Sequence, residues 1–405
     1  MKDTEFFAMA LGLEKPWRVK EVRMEKEAGK VVVEIECGEG AAWGDEQGRR
    51  LTVHGWEQRV WRHLDTMQFL TELRARVPRL RYEDGSTAVA RVPWAGEKSR
   101  WTEAFEAMAV MLLLGARSQS QAAEWLRLDW SSVQRIKARA VERGLARRSV
   151  EEVRVVGLDE KSFGRGQDYI SVLSDPRGGR VLEVEPERTS EAAARLLRSL
   201  PEAQREKIEA AVMDMSAGYE AAVRQELPGA EVVYDRFHVS GILGKMVEEV
   251  RRKEHRRLME QGDESLKNSR YLWLWHPDKL EGERLMRFEE ISQLNLKTTD
   301  AYYHRIQFHE FWAQPDATHA GAYFGRWEAE ALESSIEEVK KAARTLRGHL
   351  RGLLSWFRHR VSNAVAEALN GRIQALKANA RGFRSFVNYR ITILFHLGKL
   401  ELKPA

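Results

Sequence analysis

One cysteine, Cys37, stands in a chain of 405 residues. A lone thiol excludes an intramolecular disulfide framework and any zinc site built on cysteine pairs, and it suits a reducing cytoplasm. No run of about twenty apolar residues occurs, so neither a membrane-spanning helix nor a membrane partner is expected. The apolar stretch Ala109–Leu114 is too short and lies in a helical pattern. The first residues, MKDTEFFAMALGLEKPW, carry acids and lack the layout of a secretion signal. A large excess of either charge sign is missing too: 66 basic against 61 acidic side chains leave +5 at pH 7. This is no polycation, and any contact with nucleic acid has to come from local basic faces.

What is present is length enough for two or three domains and an ordinary share of apolar residues. The stretch that organises the chain is Arg154–Asp175, RVVGLDEKSFGRGQDYISVLSD. Val153, Val155, Val156 and Leu158 form an apolar strand that ends in Asp159, then a polar turn, then a second strand over Gln167–Ser174. A carboxylate at the end of a core strand is costly to bury unpaired, and a metal would offset that cost.

In chain order, residues 1–100 read as a small β-rich module. Lys30–Cys37 alternates as a strand, Arg49–His54 and Gln58–His63 suggest two more, and Leu70–Arg81 is strand-like and basic. Aromatic and basic residues interleave at Trp56, Arg59, Trp61, Arg62 and His63, which suits either a DNA-contacting module or a solvated structural one. Residues 101–149 read as a helix-turn-helix. Ser118 or Ser120 caps one helix that runs to Leu126, Arg127–Trp130 turns, and Ser131 caps a second helix that runs to Arg143. The second helix is expected to expose Ser132, Gln134, Arg135, Lys137, Ala138 and Arg139, types suited to bases and phosphates. Such hairpins also occur in proteins that bind no DNA.

Residues 150–240 alternate strand and helix signals as a mixed α/β sheet. Gly179–Val184 is a third strand, Ile208–Asp214 a fourth that again ends in Asp, and Glu231–Asp235 a fifth that ends in Asp and is followed by Arg236, Phe237 and His238. Residues 241–354 turn helical, with aromatics gathered at Tyr271–His276, Tyr302 and Tyr303, Phe308–Trp312 and Tyr323–Trp327. Most of these rings suit a helical core; one or two could stack on unstacked bases. Ser355–Lys377 reads as one helix with Phe357, Val361, Val365, Leu369, Ile373 and Leu376 on its apolar stripe. Glu367 sits at the stripe's edge, flanked by Asn363 and Asn370 on its own face. The fold class is therefore α/β plus α.

Asp159 and Asp214, at the ends of two strands, come to one sheet edge if those strands are neighbours, and Glu367 can close the set. Three hard oxygen ligands suit Mg²⁺, and two such ions suit an in-line phosphoryl displacement. A single strand-end Asp is more often a turn cap, and an exposed helix Glu is usually solvated; three in this order are harder to assign to chance.

VVGLDEKSFGRGQDYISVLSD, AVMDMSAGY, VVYDRFHV and SNAVAEALNGRIQALKANARGFRSFVNYRITIL resemble the DDE transposases of bacterial insertion sequences, and among them the ISL-three family. The likeness covers nearly the whole chain. It implies a ribonuclease-H-like mixed sheet interrupted by a helical insertion (241–354), preceded by a helix-turn-helix and a degenerate zinc-ribbon-like module (1–100), and closed by a final helix and basic tail (355–405). It implies a nucleoid-associated bacterial enzyme that binds the terminal inverted repeats of its element, then cuts and joins double-stranded DNA with two Mg²⁺ (or Mn²⁺) ions, as a homodimer that pairs two ends.

Carried onto this chain, the catalytic and metal-binding triad falls on Asp159, Asp214 and Glu367. Asp235, His238 and Asn370 take supporting roles, Lys377 and Arg381 touch backbone phosphates beside the helix-turn-helix residues, and Trp312 and Trp327 are candidates to stack on a flipped base. The family carries two Cys-x-x-Cys pairs near its start. Here Cys37 keeps one of those cysteines, and Arg81–Asp84 takes the second pair's place, so no zinc is expected. Two other readings compete: a transposase-derived DNA-binding regulator without catalysis, and a ribonuclease-H-like nuclease that cuts and never joins.

Overall fold

The computed structural model describes residues 2–38, 40–45, 49–149, 152–164, 168–294, 296–361 and 364–404, so Gln167 and Asn363 lie outside the described residues. Two units divide the chain: Met1–Arg148 with Leu400–Ala405, and Ser149–Lys399. Residues expected to close the tail of the catalytic region, from Leu400 on, thus belong with the N-terminal unit.

The N-terminal unit begins with α1 (Asp3–Ala10), β1 (Trp17–Glu25), β2 (Lys30–Cys37), β3 (Trp43–Gly44), β4 (Arg50–Thr66), β5 (Phe69–Arg81) and β6 (Thr87–Val89). The strands pair in the order β1-β2-β5-β4-β3, with β6 on β5. β2 and β5 are parallel and the other pairs antiparallel. Two short strands were expected where β4 is one long one. The register shift at Val53/Gly55 takes up the local break, and Met67 and Gln68, both at positive φ, close the hairpin to β5. One face buries Trp61, Leu73 and Val77. Trp17 and Trp61 meet Trp94 edge to face at 5.1 and 5.4 Å.

Three helices follow: α2 (Glu103–Gly115), α3 (Gln119–Leu126) and α4 (Trp130–Arg147). Ser118 caps α3 by accepting from Gln121 N at 3.2 Å, and Arg127 ends it at φ 53°. α4 is capped by Asp129, not by the expected Ser131: its carboxylate accepts from Ser132 N at 2.9 Å. Val133, Ile136, Ala140 and Val141 bury the inner stripe of α4. Residues 400–403 lie along the same helix. A Cβ on Gly144 would meet Leu400 Cβ at 2.7 Å, Arg143 donates to Leu402 O at 2.9 Å, and Arg147 donates to Lys403 O at 2.8 Å.

The second unit holds β7 (Val155–Ser162), β8 (Tyr169–Asp175), β9 (Arg180–Pro186), α5 (Ser190–Arg198), α6 (Glu202–Arg205), β10 (Ala210–Met213), α7 (Ala217–Glu226) and β11 (Glu231–Tyr234). The sheet order is β11-β10-β7-β8-β9. β7, β10 and β11 run parallel, whereas β8 is antiparallel to both β7 and β9. The parallel strands AAVM and EVVY are short and largely apolar, as strands covered on both faces are. α5 packs on α7 and on β8 and β9.

Helices fill the remainder: α8 (Arg236–Glu260), α9 (Gly282–Ser292), α10 (Lys297–His309), α11 (Ala317–Glu333), α12 (Glu337–Gly348), α13 (Leu350–His359), α14 (Ala364–Asn379) and α15 (Phe386–Leu397). α13 packs on β11 and α15 on β9. Tyr302, Phe308, Phe311 and Phe324 are fully buried, in a core continuous with that of the sheet. The single helix expected over Ser355–Lys377 is two: Arg360 takes a left-handed conformation, φ 48°, and ends α13. The two units hold one mixed sheet each, with many helices, and no helix among the described residues is long and apolar enough to cross a membrane.

Candidate active site

Parallel register builds the site. Leu158 pairs with Met213, and Met213 with Tyr234, so the next residue on each strand falls in one row: Asp159, Asp214 and Asp235. β10 and β11 stop at that row. β7 does not, contrary to the expected strand end at Asp159: it continues beside β8 to Ser162, with Asp159 opposite Val172. Asp159 therefore projects from the middle of a strand.

The Asp159 side chain is 23% exposed. Its Oδ1 accepts from Glu160 N at 2.7 Å, its Oδ2 accepts from the Asn370 amide, and Lys161 Nζ lies 3.6 Å from Oδ2. Burial pushes its pKa above the usual carboxylate range; the Asp214 charge adds to this, while Lys161 and the Asn370 bond oppose it. His238 stands between the other two acids, Nδ1 at 2.8 Å from Asp214 Oδ1 and 3.2 Å from Asp235 Oδ2. Those bonds, Asp214's first, raise its pKa to about 10, so it is an imidazolium at neutral pH. Asp235, nearly fully buried, also caps α8 by accepting from Phe237 N at 3.1 Å. One possible donor atom from each of Asp214, Asp235 and His238 lies within 4.8 Å of the others, the one such group of three or more His, Cys, Asp or Glu found among the described residues.

α14 supplies the late residues. Asn370 bonds Asp159, and Lys377 Nζ donates to Ser162 O at 2.9 Å. Lys377, expected on a phosphate, thus holds the far end of β7. Glu367 is exposed, one helical turn before Asn370, and does not join the Asp214–Asp235–His238 group. Arg381 is exposed just past α14.

Several expected contacts are corrected. Trp312 and Trp327 are buried, at 7% and 2% exposure, so neither presents a face to a base. Trp327 Nε1 donates to His304 O at 2.9 Å, and Trp312 packs on Phe357 and under Arg236. In the N-terminal unit, Ser132 and Lys137 are buried where exposure was expected. Ser132 serves the α4 cap, and Lys137 Nζ donates to Gln119 Oε1 at 2.6 Å. Burial lowers the Lys137 pKa to about 8. Gln134 and Arg139 are half-buried, Arg139 lying 3.5 Å from the buried Glu106; Arg135 is exposed, over the Trp101 ring. Lys161, beside Asp159, went unremarked in the sequence; its signal was its place two residues on, on the same side of the strand. Lys137 lies four residues after Val133, on the apolar stripe, and that spacing marked it as inward.

Three segments match known families. Residues 156–393 match a transposase family of the DDE type, residues 90–141 the helix-turn-helix domain of transposase family ISL3, and residues 47–84 the zinc-finger of transposase IS204/IS1001/IS1096/IS1165. The transposase for insertion sequence element IS1001 of Bordetella parapertussis is 27% identical over 365 residues, 89% of this chain and 87% of that one. The transposase for insertion sequence element IS1557 of Mycobacterium tuberculosis (strain CDC 1551 / Oshkosh) is 22% identical over 426 residues, 95% of this chain and 93% of that one.

The zinc-finger match overturns the expectation of no zinc, since it points to zinc binding in the N-terminal module. The matched stretch has no cysteine, and its other donors are His54, His63 and carboxylates. His63 is turned inward, Nδ1 at 2.8 Å from Thr102 Oγ1, and burial lowers its pKa to about 4. A tetrahedral thiolate centre does not fit this donor set. The match to residues 156–393 spans more than half of the chain, and the helix-turn-helix match makes the protein DNA-binding: the chain belongs to the ISL3 family of insertion-sequence transposases.

Proposed function

We propose that this transposase binds the terminal inverted repeats of its element and carries out divalent-metal-dependent strand cleavage and strand transfer at Asp159, Asp214 and Glu367. The observation that carries the reading is the shared register row that puts Asp159 and Asp214 on neighbouring parallel strands. The strand order β9-β8-β7-β10-β11, three antiparallel strands followed by two parallel ones, supports a ribonuclease-H-like core, with 241–354 as its insertion. The donors are hard oxygens, which suit Mg²⁺ or Mn²⁺. Divalent ions bound there would polarise the scissile phosphodiester and ease deprotonation of the attacking water or 3′-hydroxyl.

The chain's own residues have separable tasks. Asn370 holds one oxygen of Asp159 and leaves the carboxylate's remaining lone pairs for a ligand. His238, held protonated between Asp214 and Asp235, would be placed to donate to a phosphate oxygen of bound DNA. Spacing supports Glu367 as the third acid. From Asn370 to Lys377 a helix rises about 10 Å, and from Asp159 to Ser162 a strand also rises about 10 Å, so α14 runs alongside β7 in the same direction. Glu367, about 4.5 Å earlier on that line, comes towards the Leu158–Met213 row.

Because two element ends must be joined, the acting form is a homodimer. The test is Mg²⁺-dependent nicking and joining of a duplex that carries the element's terminal repeat. Asp159→Asn and Glu367→Gln are expected to abolish both and to leave duplex binding intact. Nicking that survives in Glu367→Gln would remove that residue from the site; binding without any cleavage in the wild type would favour the regulator.

A further inference from the structure

The long strand β4 leaves part of one edge open. β5 pairs with it from Thr52 to Thr66, whereas on its other side β3 covers only Arg50 and Leu51, and Trp101 bridges Arg62. Between those two ends no strand among the described residues pairs with the outer edge. The direction of the backbone groups follows from the two-residue period of a strand. Arg62 N donates to Arg100 O at 2.9 Å and Arg62 O accepts from Thr102 N at 3.0 Å, so both groups point away from β5. The register runs unbroken from Trp56 to His63, so the N–H and C=O groups of Val60, Gln58 and Trp56 point the same way. Pro78, which has no N–H to give, stands opposite Trp56, as a pair without mutual hydrogen bonds allows.

Open edges of soluble proteins are commonly blunted by lysine, proline or a charge that points inward. This one carries two exposed apolar side chains: Trp56 is 48% exposed and Val60 46%. Arg76 lies over the Trp56 ring at 5.9 Å. Glu57 and Arg59 stand on the opposite face of the strand, one before and one after Gln58. The register shift at Val53/Gly55 limits the strip on one side and the bridge at Arg62 on the other, so residues 55–61 are open and Gln58 is their midpoint.

Laid antiparallel on itself about Gln58, this strip sets Trp56 against Val60 and Glu57 against Arg59, each twice. Both matches are favourable: an aromatic on a β-branched side chain on one face, an acid on a base on the other. Centring the pair on Glu57 or on Arg59 sets like charges face to face, so the charges select the Gln58 register. One acid and one base also leave the strip without net charge to draw a phosphate backbone. We propose that the open edge of β4 receives the same edge of a second copy of this chain, antiparallel about Gln58, so that two sheets continue as one. The proposal rests on the homodimer reading, to which it gives a surface, and not on the assignment of the cutting residues.

The test is sedimentation of the full-length chain over a concentration series, with and without a terminal-repeat duplex. Glu57→Arg places a cation opposite Arg59 of the second copy, and Arg59→Glu places an anion opposite its Glu57. Each is expected to weaken self-association about tenfold or more. An equimolar mixture of the two variants has opposite charges at both contacts and is expected to pair as readily as wild type, a rescue that a misfolded variant could not give. In a Cys37→Ser background, Gln58→Cys is expected to form a disulfide-linked dimer on mild oxidation, because hydrogen-bonded cross-strand partners lie about 5.5 Å apart between Cα atoms. Self-association equal in wild type and both charge variants would overturn this surface and leave the homodimer reading standing. A wild type that stays monomeric, free and on DNA, would overturn both. A Trp56→Ala variant that binds the duplex less tightly while its dimer is unchanged would make the strip a DNA surface, and that too would overturn the proposal.

Discussion

The acid row of the second sheet and helix α4 of the N-terminal unit both set charged side chains against apolar surroundings, with opposite results. At the sheet, Asp159, Asp214 and Asp235 stand in one row on three neighbouring strands, and their partners include an amide, a lysine, a shared histidine and the backbone N–H groups of Glu160 and Phe237. Three carboxylates gathered at one sheet edge are hard oxygen donors of the kind that suits a divalent cation. On α4 the folded unit consumes much of the polar equipment. Lys137 bonds Gln119, Ser132 bonds Asp129, and Arg139 and Arg143 converge on Glu106, which is 2% exposed. The acids of the row stay gathered at one sheet edge, whereas a polar residue on a helix face is available to DNA only after the fold has taken its share.

The sharpest way to break this contrast is at the row. Asp214→Asn is expected to lower the cleavage rate by about 10³-fold or more, with duplex affinity unchanged, measured by single-turnover nicking. Retained cleavage would make the row an ordinary set of caps. Next in size is Glu106→Gln, which leaves Arg139 and Arg143 without their buried counter-charge; thermal unfolding of the helix-turn-helix unit should show a loss of about 3 kcal/mol.

Lys137 sharpens the comparison through pH. Its pKa is about 8 in the folded chain against 10.5 unfolded. Between those values the unfolded chain keeps a proton that the folded one has released, so stability rises with pH through that window. The cost of burying this cation, at most about 3 kcal/mol, is fully present below pH 8 and is relieved above it. Relative to Lys137→Met, wild type should therefore gain stability from pH 8 to 10.5, as read by denaturant midpoints, and the substitution should leave DNA affinity unchanged. The smallest effect belongs to Arg135, which is exposed and makes no ion pair among the described residues: Arg135→Ala should weaken duplex binding by about tenfold or less and lower its salt slope by about 1.

How much of this was legible follows the same division. The apolar run into Asp159, the short strands that deliver Asp214 and Asp235, and the cap role open to Asp235 all show in local pattern, because strand ends are marked by an abrupt change of polarity. The continuation of β7 to Ser162 does not show, since Glu160 and Lys161 are poor strand formers that pair with β8 only once that hairpin exists. The break at Arg360 is equally silent: FRHRV contains neither glycine nor proline, and tertiary contacts impose the left-handed residue. Trp312 and Trp327 look free in a sequence crowded with aromatics, and only packing reveals that they are core. The zinc-ribbon-like character of the module came from the resemblance and agrees with the zinc-finger match to 47–84; zinc binding went unexpected because that stretch contains no cysteine.

The strap of residues 400–403 over α4 has a consequence for synthesis. Arg143 and Leu402, 259 positions apart, emerge from the ribosome far apart in time. Gly144 waits with its face uncovered while the whole sheet unit is translated, and the helix-turn-helix acquires these contacts only after the sheet unit exists. A nascent chain that stops early therefore carries a recognition helix still lacking its cover.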